Sequence, residues 1–441
     1  MGTMHVNKLI ISMSLPIILS MLMQALYNIV DSIYVAKISE NALTAVSLAF
    51  PYQNLMIAVG TGTGVGVNAL LSRSLGEKNF ETSDKTANIS IFLALVTSIV
   101  FVILGFTVVK PFLAAQTKTR EILDLGVSYL MIVSCIPFGL FGQICCERLL
   151  QATGKTVYSM ITQGLGAIIN IILDPVLIFG YGPFPKLGIA GAALATVIAQ
   201  IIATIIGLFL NIKINKEINL SVKEMRPDGK IIKRIYSVGV PSILMGSIGS
   251  VMTFSLNKIL GGFTETAIAV FGVYFKIQSF IFMPVFGLNN GIVPIISYNL
   301  GAQKIKRIKK TILLGVIYAS AFMLTGFAVF QLFPEALLKM FDATDKMLSI
   351  GVPALRTISI HFIFAGVCII FISVYQAIGK GMYSLYISVA RQLFVLIPAA
   401  YLLSLTGVLN NVWYAFVIAE ASSLVVSFFF MRRVFKTVFS Q

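Results

Sequence analysis

Long apolar stretches recur along the whole chain, and each is long enough to cross a lipid bilayer as a helix. The hydrocarbon core of a membrane needs about 20 helical residues at 1.5 Å per residue. Six of the stretches carry no charged residue, and six hold one or two ionisable residues. We therefore predict an all-α integral membrane protein with twelve transmembrane helices, over residues 9–35, 41–72, 86–109, 125–146, 156–180, 187–212, 235–257, 266–298, 311–333, 350–379, 382–406 and 408–431.

The net charge of +16 on its own is typical of a protein that binds nucleic acid. The chain is, however, 57% hydrophobic and only 11% charged, so it lacks the polar surface of a soluble basic module. We expect contact with membrane lipids and not with nucleic acid. The four cysteines lie in apolar runs without a disulfide or zinc spacing, and we interpret them as small buried side chains.

The distribution of basic residues predicts the orientation, because Lys and Arg are retained on the cytoplasmic side. With the N-terminus inside, the predicted inner loops and termini carry 22 Lys and Arg residues, against eight in the outer loops. We therefore expect a multi-pass protein of the cell membrane with both termini in the cytoplasm. The first apolar segment is longer than a signal-peptide core, and we interpret it as a retained helix.

The two halves of the sequence repeat each other at an offset of 225 residues. Matched positions include Gln53 with Gln278, and the run 151–155 with 376–380. Six helices per repeat is an even number, so both repeats run the same way through the membrane. We predict two six-helix bundles, residues 1–219 and 220–441, related by a pseudo-two-fold axis along the membrane normal and suited to alternating access.

A proline interrupts the first helix of each repeat, at Pro16 and at Pro241. Proline removes a backbone hydrogen bond and kinks a helix. In a transporter, such a kink can serve as a bending point, and we assign that role to Pro16.

Two aspartates lie inside predicted spans, where a charged residue costs about 3 kcal/mol and is a functional candidate by default. Asp31 lies near the outer end of helix 1 and Asp174 near the outer end of helix 5. Counted from the ends of their helices, the two carboxylates can share one depth in the outer half of the first bundle.

Polar residues accompany both aspartates at a spacing of four, which places them on the same helix face. Tyr27 precedes Asp31 and Asn170 precedes Asp174, while Ala192 and Thr196 of helix 6 reach a similar depth. Carboxylate, amide and hydroxyl oxygens suit Na⁺, and two close carboxylates suit a proton equally well. The alternative is that both aspartates only cap or bridge helices near the interface.

The second repeat lacks this set of residues, because Asp31, Asn170 and Asp174 fall on apolar positions at the offset. Its own ionisable residues lie nearer the middle of the membrane. Two interpretations stay open for them, structural pairing and the lining of a polar cavity. They are Lys276, His361, Arg391 and Glu420.

Several motifs together resemble the MATE (multidrug and toxic compound extrusion) transporters, and the bacterial multidrug branch in particular. They are the run 28–31 in helix 1, 170–180 in helix 5, 188–196 in helix 6, 298–302 after helix 8 and 418–420 in helix 12. The resemblance implies two bundles, a cleft that opens alternately, and export of amphipathic organic cations in exchange for Na⁺ or H⁺. It also implies a first-bundle cation site at the positions of Tyr27, Asp31, Asn170, Asp174, Ala192 and Thr196, and matches Pro16 to the helix 1 proline.

Some members of that family carry acidic residues in helices 7 and 10, whereas here helix 10 offers only His361. We expect a monomeric antiporter that uses no cofactor beyond its coupling ion and is not an enzyme. A flippase for a lipid-linked glycan is the alternative of related architecture, and it should need a basic cleft. A membrane-embedded transferase should carry an acid-rich Mg²⁺ motif, which is missing here.

Overall fold

A computed structural model of the chain describes residues 1–341 and 343–439. The first half is helical from near its start and holds seven helices. Their bounds are α1 Val6–Ala36, α2 Glu40–Gly76, α3 Phe80–Ala114, α4 Arg120–Cys135, α5 Phe138–Ala152, α6 Thr156–Phe179 and α7 Ile189–Lys213, followed by a 3₁₀ turn at Val222–Glu224.

The described residues of the second half form ten further α-helices and one π-helix. They are α8 Gly229–Gly261, α9 Glu265–Gly301, α10 Ile305–Leu332, α11 Pro334–Lys339, α12 Asp345–Ser359, α13 Phe362–Ala377, α14 Gly381–Val389, the π-helix Ala390–Leu396, α15 Ile397–Ser404, α16 Leu409–Val412 and α17 Tyr414–Thr437. Polar caps start several of them; for example, Ser39 Oγ accepts a hydrogen bond from the Ala42 N–H at 3.0 Å.

The prediction of twelve spans is confirmed in number and order. Ten helical segments among the described residues are long and apolar enough to cross a membrane, and two bent pairs, α4 with α5 and α12 with α13, complete the twelve. Each bent pair turns by 48° at its break. The breaks at Ile136 and His361 are 225 residues apart, which is the offset of the sequence repeat. Both repeats therefore contain a bend at a matching position.

The contacts divide the chain into two compact units, Leu15–Gly239 and Met1–Ser14 with Val240–Gln441. We call the first the N-unit and the second the C-unit. Each change of unit falls inside a long helix, next to Pro16 in α1 and next to Pro241 in α8. The repeat divides the sequence at 219, whereas the contacts assign the first 14 residues to the C-unit and residues 220–239 to the N-unit.

Small residues let the helices of the N-unit pack closely around an apolar core. This core includes Ala45, Ala49 and Met56 of α2, Phe101 of α3 and Phe141 of α5. Buried aromatic rings pack against one another there, with Phe101 and Phe141 centroids 5.4 Å apart. Helices α2 to α7 all contribute to this core, and their packing holds in place the polar residues that they carry.

Candidate functional site

The two intramembrane aspartates of the N-unit meet in the structure. Asp31 on α1 and Asp174 on α6 lie close enough for their carboxyl groups to share a hydrogen bond. The Asp174 side chain is fully buried, and Asp31 Oδ1 is buried without a hydrogen-bond partner in the part of the chain that the structure describes. Two carboxylates in such contact can share a proton or hold a cation between them.

Asn170 connects Asp174 to α7. In the amide orientation that satisfies both ends of the side chain, its nitrogen donates to Asp174 Oδ2 at 3.3 Å and its oxygen accepts from the Thr196 N–H at 3.2 Å. Asn170 lies one turn before Asp174 on α6, and only 2% of it is exposed. The amide therefore fixes one carboxylate of the pair in position.

A glycine brings α7 close enough to α6 for this contact. A Cβ on Gly191 would lie 2.4 Å from the carbonyl oxygen of Leu177, so only glycine fits there. The connection between the helices is also bonded back onto α6, since the Leu187 and Gly188 N–H groups donate to the Leu177 and Ile178 carbonyls at 3.0 and 3.1 Å. The fully buried Ala192 follows Gly191, and Thr196 lies one turn further along.

Polar and apolar contacts hold α1 against α6 in the N-unit. Gln163 Nε2 donates to Gln24 Oε1 at 2.9 Å, and the Tyr34 and Phe179 rings meet edge to face at 6.3 Å. Tyr27 lies near Gln24 on α1 and within electrostatic reach of Asp31. These contacts place the Asp31 face of α1 opposite the Asp174 face of α6.

Two further polar side chains, Tyr129 and Gln53, lie near this site but are absent from the set of site residues predicted from the sequence. Tyr129 of α4 is buried within electrostatic reach of Asp31, Asp174 and Tyr27, and it accepts a hydrogen bond at 3.2 Å from Gln53 Nε2 of α2. The spacing of polar residues within one helix could not reveal them, because Tyr129 and Gln53 lie on helices other than those of the two aspartates. Gln53 did stand out as a position shared by both repeats.

The structure brings together Asp31, Asn170, Asp174 and Thr196 in one cluster, with Tyr27 near Asp31 and the buried Ala192 one turn before Thr196 on α7. This cluster, which we call the carboxylate site, offers two carboxylates, an amide and a hydroxyl to a small cation. A proton fits the contact between the two carboxyl groups as it stands, whereas an Na⁺ ion also gains a ligand if Asn170 turns its oxygen inward.

Three of the four ionisable candidates of the second repeat meet in the C-unit. Arg391 Nη1 lies 2.9 Å from Glu420 Oε2, and His361 Nδ1 lies 3.8 Å from the same oxygen. Tyr274, absent from the sequence-based set, bonds through its hydroxyl to His361 Nε2 at 3.1 Å. Lys276 is not part of this cluster, because its side chain is exposed and its Nζ lies 5.9 Å from the centre of the Phe341 ring.

Comparison with known proteins gives matches over almost the whole chain. The sequence model of the MatE family matches residues 16–176 and 241–402, one match per repeat. The multidrug export protein MepA of Staphylococcus haemolyticus is 27% identical over 94% of this chain and 90% of its own length. MepA of Staphylococcus aureus strain MRSA252 is 25% identical over 94% of this chain and 91% of its own.

Solved structures share the fold. A MOP superfamily transporter from Pyrococcus furiosus superimposes with a TM-score of 0.91 at 25% identity, over 98% of this chain and 96% of its own. A multidrug resistance MATE transporter in an outward-facing conformation superimposes with a TM-score of 0.92 at 24% identity, over 99% of this chain and 97% of its own. The repeated sequence, the helical spans and the full-length match agree, and the chain belongs to the MATE family of multi-pass membrane transporters.

Proposed function

We propose that this chain exports amphipathic organic cations in exchange for Na⁺ or H⁺. The observation that carries the proposal is the contact between Asp31 and the buried Asp174, because two carboxylates held together need a proton or cation. The names of the staphylococcal relatives, multidrug export proteins, support organic drugs as the cargo.

The coupling ion acts by neutralising the carboxylate site. An uncompensated charge inside the membrane costs about 3 kcal/mol, so binding of the ion favours conformations in which the site is closed off from water. Ion and drug each need to prefer opposite conformations by only about 1–3 kcal/mol for exchange to be coupled.

Helix α1 transmits the change, because it carries Asp31 and contains Pro16, about three turns after its first residue, Val6. Pro16 cannot donate a hydrogen bond to the helix and leaves a point at which α1 bends at low cost. Binding of an ion at Asp31 therefore shifts the part of α1 that follows Pro16. The transporter works as a monomer in the cell membrane. Both of its termini lie in the cytoplasm, an orientation supported by the excess of basic residues in the predicted inner loops.

Dye export from drug-sensitive bacterial cells tests the proposal. Cells with the wild-type protein should accumulate less ethidium than cells without it, and Asp174→Asn should abolish the difference at an equal amount of protein in the membrane. Asp124→Asn is the matched control, since this aspartate lies in the same unit with 72% of its side chain exposed. Export by Asp174→Asn at the wild-type rate would contradict the assignment of the site.

A further inference from the structure

One end of the C-unit carries many basic residues and no acidic residue that the structure describes. The start of α1, the α9–α10 and α13–α14 connections and the end of α17 form this end, and Ser297 Oγ of α9 donates there to the Ala377 carbonyl at 2.9 Å. The described acidic residues of the unit lie instead at the start of α9, in α11, at the start of α12 and inside α17. The basic residues at this end are Lys8, Lys304, Lys306, Arg307, Lys309, Lys310, Lys380, Arg432, Arg433 and Lys436.

The matching end of the N-unit does not have this excess of positive charge. The sequence repeat matches Lys306 and Lys309 with the acidic Glu81 and Asp84, and Lys85 of the N-unit is paired with Glu81 at 2.6 Å. The residues of α7 that match the basic residues of α17 are uncharged. The preference for basic residues on the cytoplasmic side acts on both repeats alike, so it does not account for the difference.

Two of the basic residues in the C-unit are engaged with the start of the chain. Arg307 Nη2 donates to the Met1 and Met4 carbonyls at 2.9 and 2.6 Å, and Lys304 Nζ donates to the Gly2 carbonyl at 2.8 Å. These bonds hold the first residues against the start of α10. The other basic residues of α10 remain on its exposed surface.

On α10, the exposed basic residues continue into an exposed apolar stripe on the same helix face. Lys306, Lys309 and Lys310 are exposed, and Leu313 and Ile317 follow at spacings of three or four residues. Leu313 and Ile317 are 60% and 50% exposed. In a membrane, such apolar side chains contact acyl chains, while lysines at the helix end extend to the level of the head groups.

Helix α17 shows the same arrangement in its last turns. Val425, Phe428 and Phe429 are 70%, 49% and 66% exposed. Arg432 and Arg433 follow one turn later on the same side of the helix, and both are exposed. Two helices of the C-unit therefore each present an apolar face that ends in positive charge.

A contact between α10 and α17 brings these basic ends together. Lys309 Nζ lies 5.9 Å from the centre of the Phe435 ring, and Phe435 lies just beyond the two arginines on α17. We use the name basic corner for Lys306, Lys309, Lys310, Arg432 and Arg433. None of these five side chains forms an ion pair with any residue that the structure describes.

We propose that the basic corner binds the phosphate head group of an anionic phospholipid, whose acyl chains lie along the exposed apolar faces of α10 and α17. The clustered Lys and Arg side chains attract the negative phosphate. A soluble anion would use only the charged part of this surface, and a neutral phospholipid would use mainly its apolar part. An anionic phospholipid matches both parts at once. This lipid site is separate from the carboxylate site and goes beyond the proposed export.

Native mass spectrometry of the full-length protein in detergent micelles tests the inference, with phosphatidylglycerol or phosphatidylcholine added. The wild-type protein should bind phosphatidylglycerol more tightly than phosphatidylcholine. One Lys or Arg near an anionic lipid changes affinity about fivefold. The triple variant Lys309→Gln, Lys310→Gln, Arg432→Gln should therefore weaken binding of phosphatidylglycerol by about tenfold or more. Its binding of phosphatidylcholine should stay unchanged.

The matched control is the triple variant Lys216→Gln, Lys223→Gln, Lys230→Gln, which removes three exposed basic residues from the N-unit. It should bind phosphatidylglycerol like the wild type. Glycerol phosphate, the head group without acyl chains, should not displace the lipid even in large excess. Binding of phosphatidylglycerol by the wild type should also weaken as ammonium acetate rises from about 0.1 M to about 1 M, because salt screens the attraction. This last measurement requires no variant to fold.

Four results would overturn the inference. They are equal affinity of the wild type for the two lipids, wild-type affinity in the basic-corner variant, equal losses in both triple variants, and displacement of the lipid by glycerol phosphate. The experiment uses neither drug nor ion gradient, so its failure is distinguishable from failure of the proposed export.

Discussion

At the scale of single residues, Asp174 and Asn170 decide what the carboxylate site can do. Both are buried and both project from α6 one turn apart, so their contact is set by helix geometry alone. For that reason, the sequence was sufficient to group Asn170 with Asp174 and Tyr27 with Asp31. Tyr129 could not be predicted, since it reaches the carboxylates from another helix and carries no charge that would mark it in an apolar run.

Removal of the Asn170 amide should weaken binding of the coupling ion. A hydrogen bond to a charged group is worth about 1.5–3 kcal/mol. Asn170→Ala should therefore raise the ion concentration for half-maximal dye transport by about tenfold or more. The matched control is Asn41→Ala, because Asn41 also donates to a carboxylate, Glu121 Oε2, at 2.8 Å, but at an exposed position. Equal shifts in the two variants would argue against a role for Asn170 in ion binding.

At the scale of helices, the spans were predicted well because length and hydropathy determine them. The bends were not. Pro137 could have indicated the α4–α5 break, but at the matching α12–α13 break the residue is Phe362 and nothing in the sequence signals a bend. No sequence pattern indicates the π-helix Ala390–Leu396 either. Tertiary contacts accompany both features, through His361 in one case and Arg391 in the other, and the sequence pattern of one helix does not contain them.

Gly191 sets the distance between α6 and α7 and should not tolerate a side chain. In Gly191→Ala, the new methyl group would lie 2.4 Å from the Leu177 carbonyl oxygen and force the helices apart. We expect a loss of about 1–3 kcal/mol in stability, seen as a lower melting temperature, together with loss of dye export. Gly272→Ala is the control, since a Cβ at that position of α9 meets no atom of the described residues within 4 Å. Similar melting temperatures for both variants would contradict the packing argument.

Pro16 should matter for movement more than for stability. Pro16→Ala restores a backbone N–H to α1, and interior proline disfavours a helix by about 3 kcal/mol. The variant should fold with an unchanged or higher melting temperature and export dye several-fold more slowly. Pro111→Ala, the replacement of a proline inside α3, should leave export unchanged. If export by Pro16→Ala matches the wild type, α1 does not need to bend at this residue.

At the scale of the whole molecule, the sequence contains two copies of one six-span repeat, and the two copies carry different sets of polar residues. The repeat reproduces the spans and even the position of a helix break, and each repeat matches the same family. The N-unit carries the paired aspartates, whereas the C-unit carries an arginine, a glutamate and a histidine. We infer that the common fold supplies the movement and that the paired aspartates of the N-unit bind the coupling ion.

Dye transport by the purified protein in liposomes is the most direct test of cation-coupled export. An imposed Na⁺ or H⁺ gradient, with no other energy source, should drive accumulation of a cationic dye by the wild-type protein and by Asp124→Asn. Whichever gradient drives it identifies the coupling ion. Asp174→Asn in the same liposomes should leave the dye at equilibrium. Accumulation by Asp174→Asn at the wild-type rate, or no accumulation by wild type under either gradient, would contradict the account.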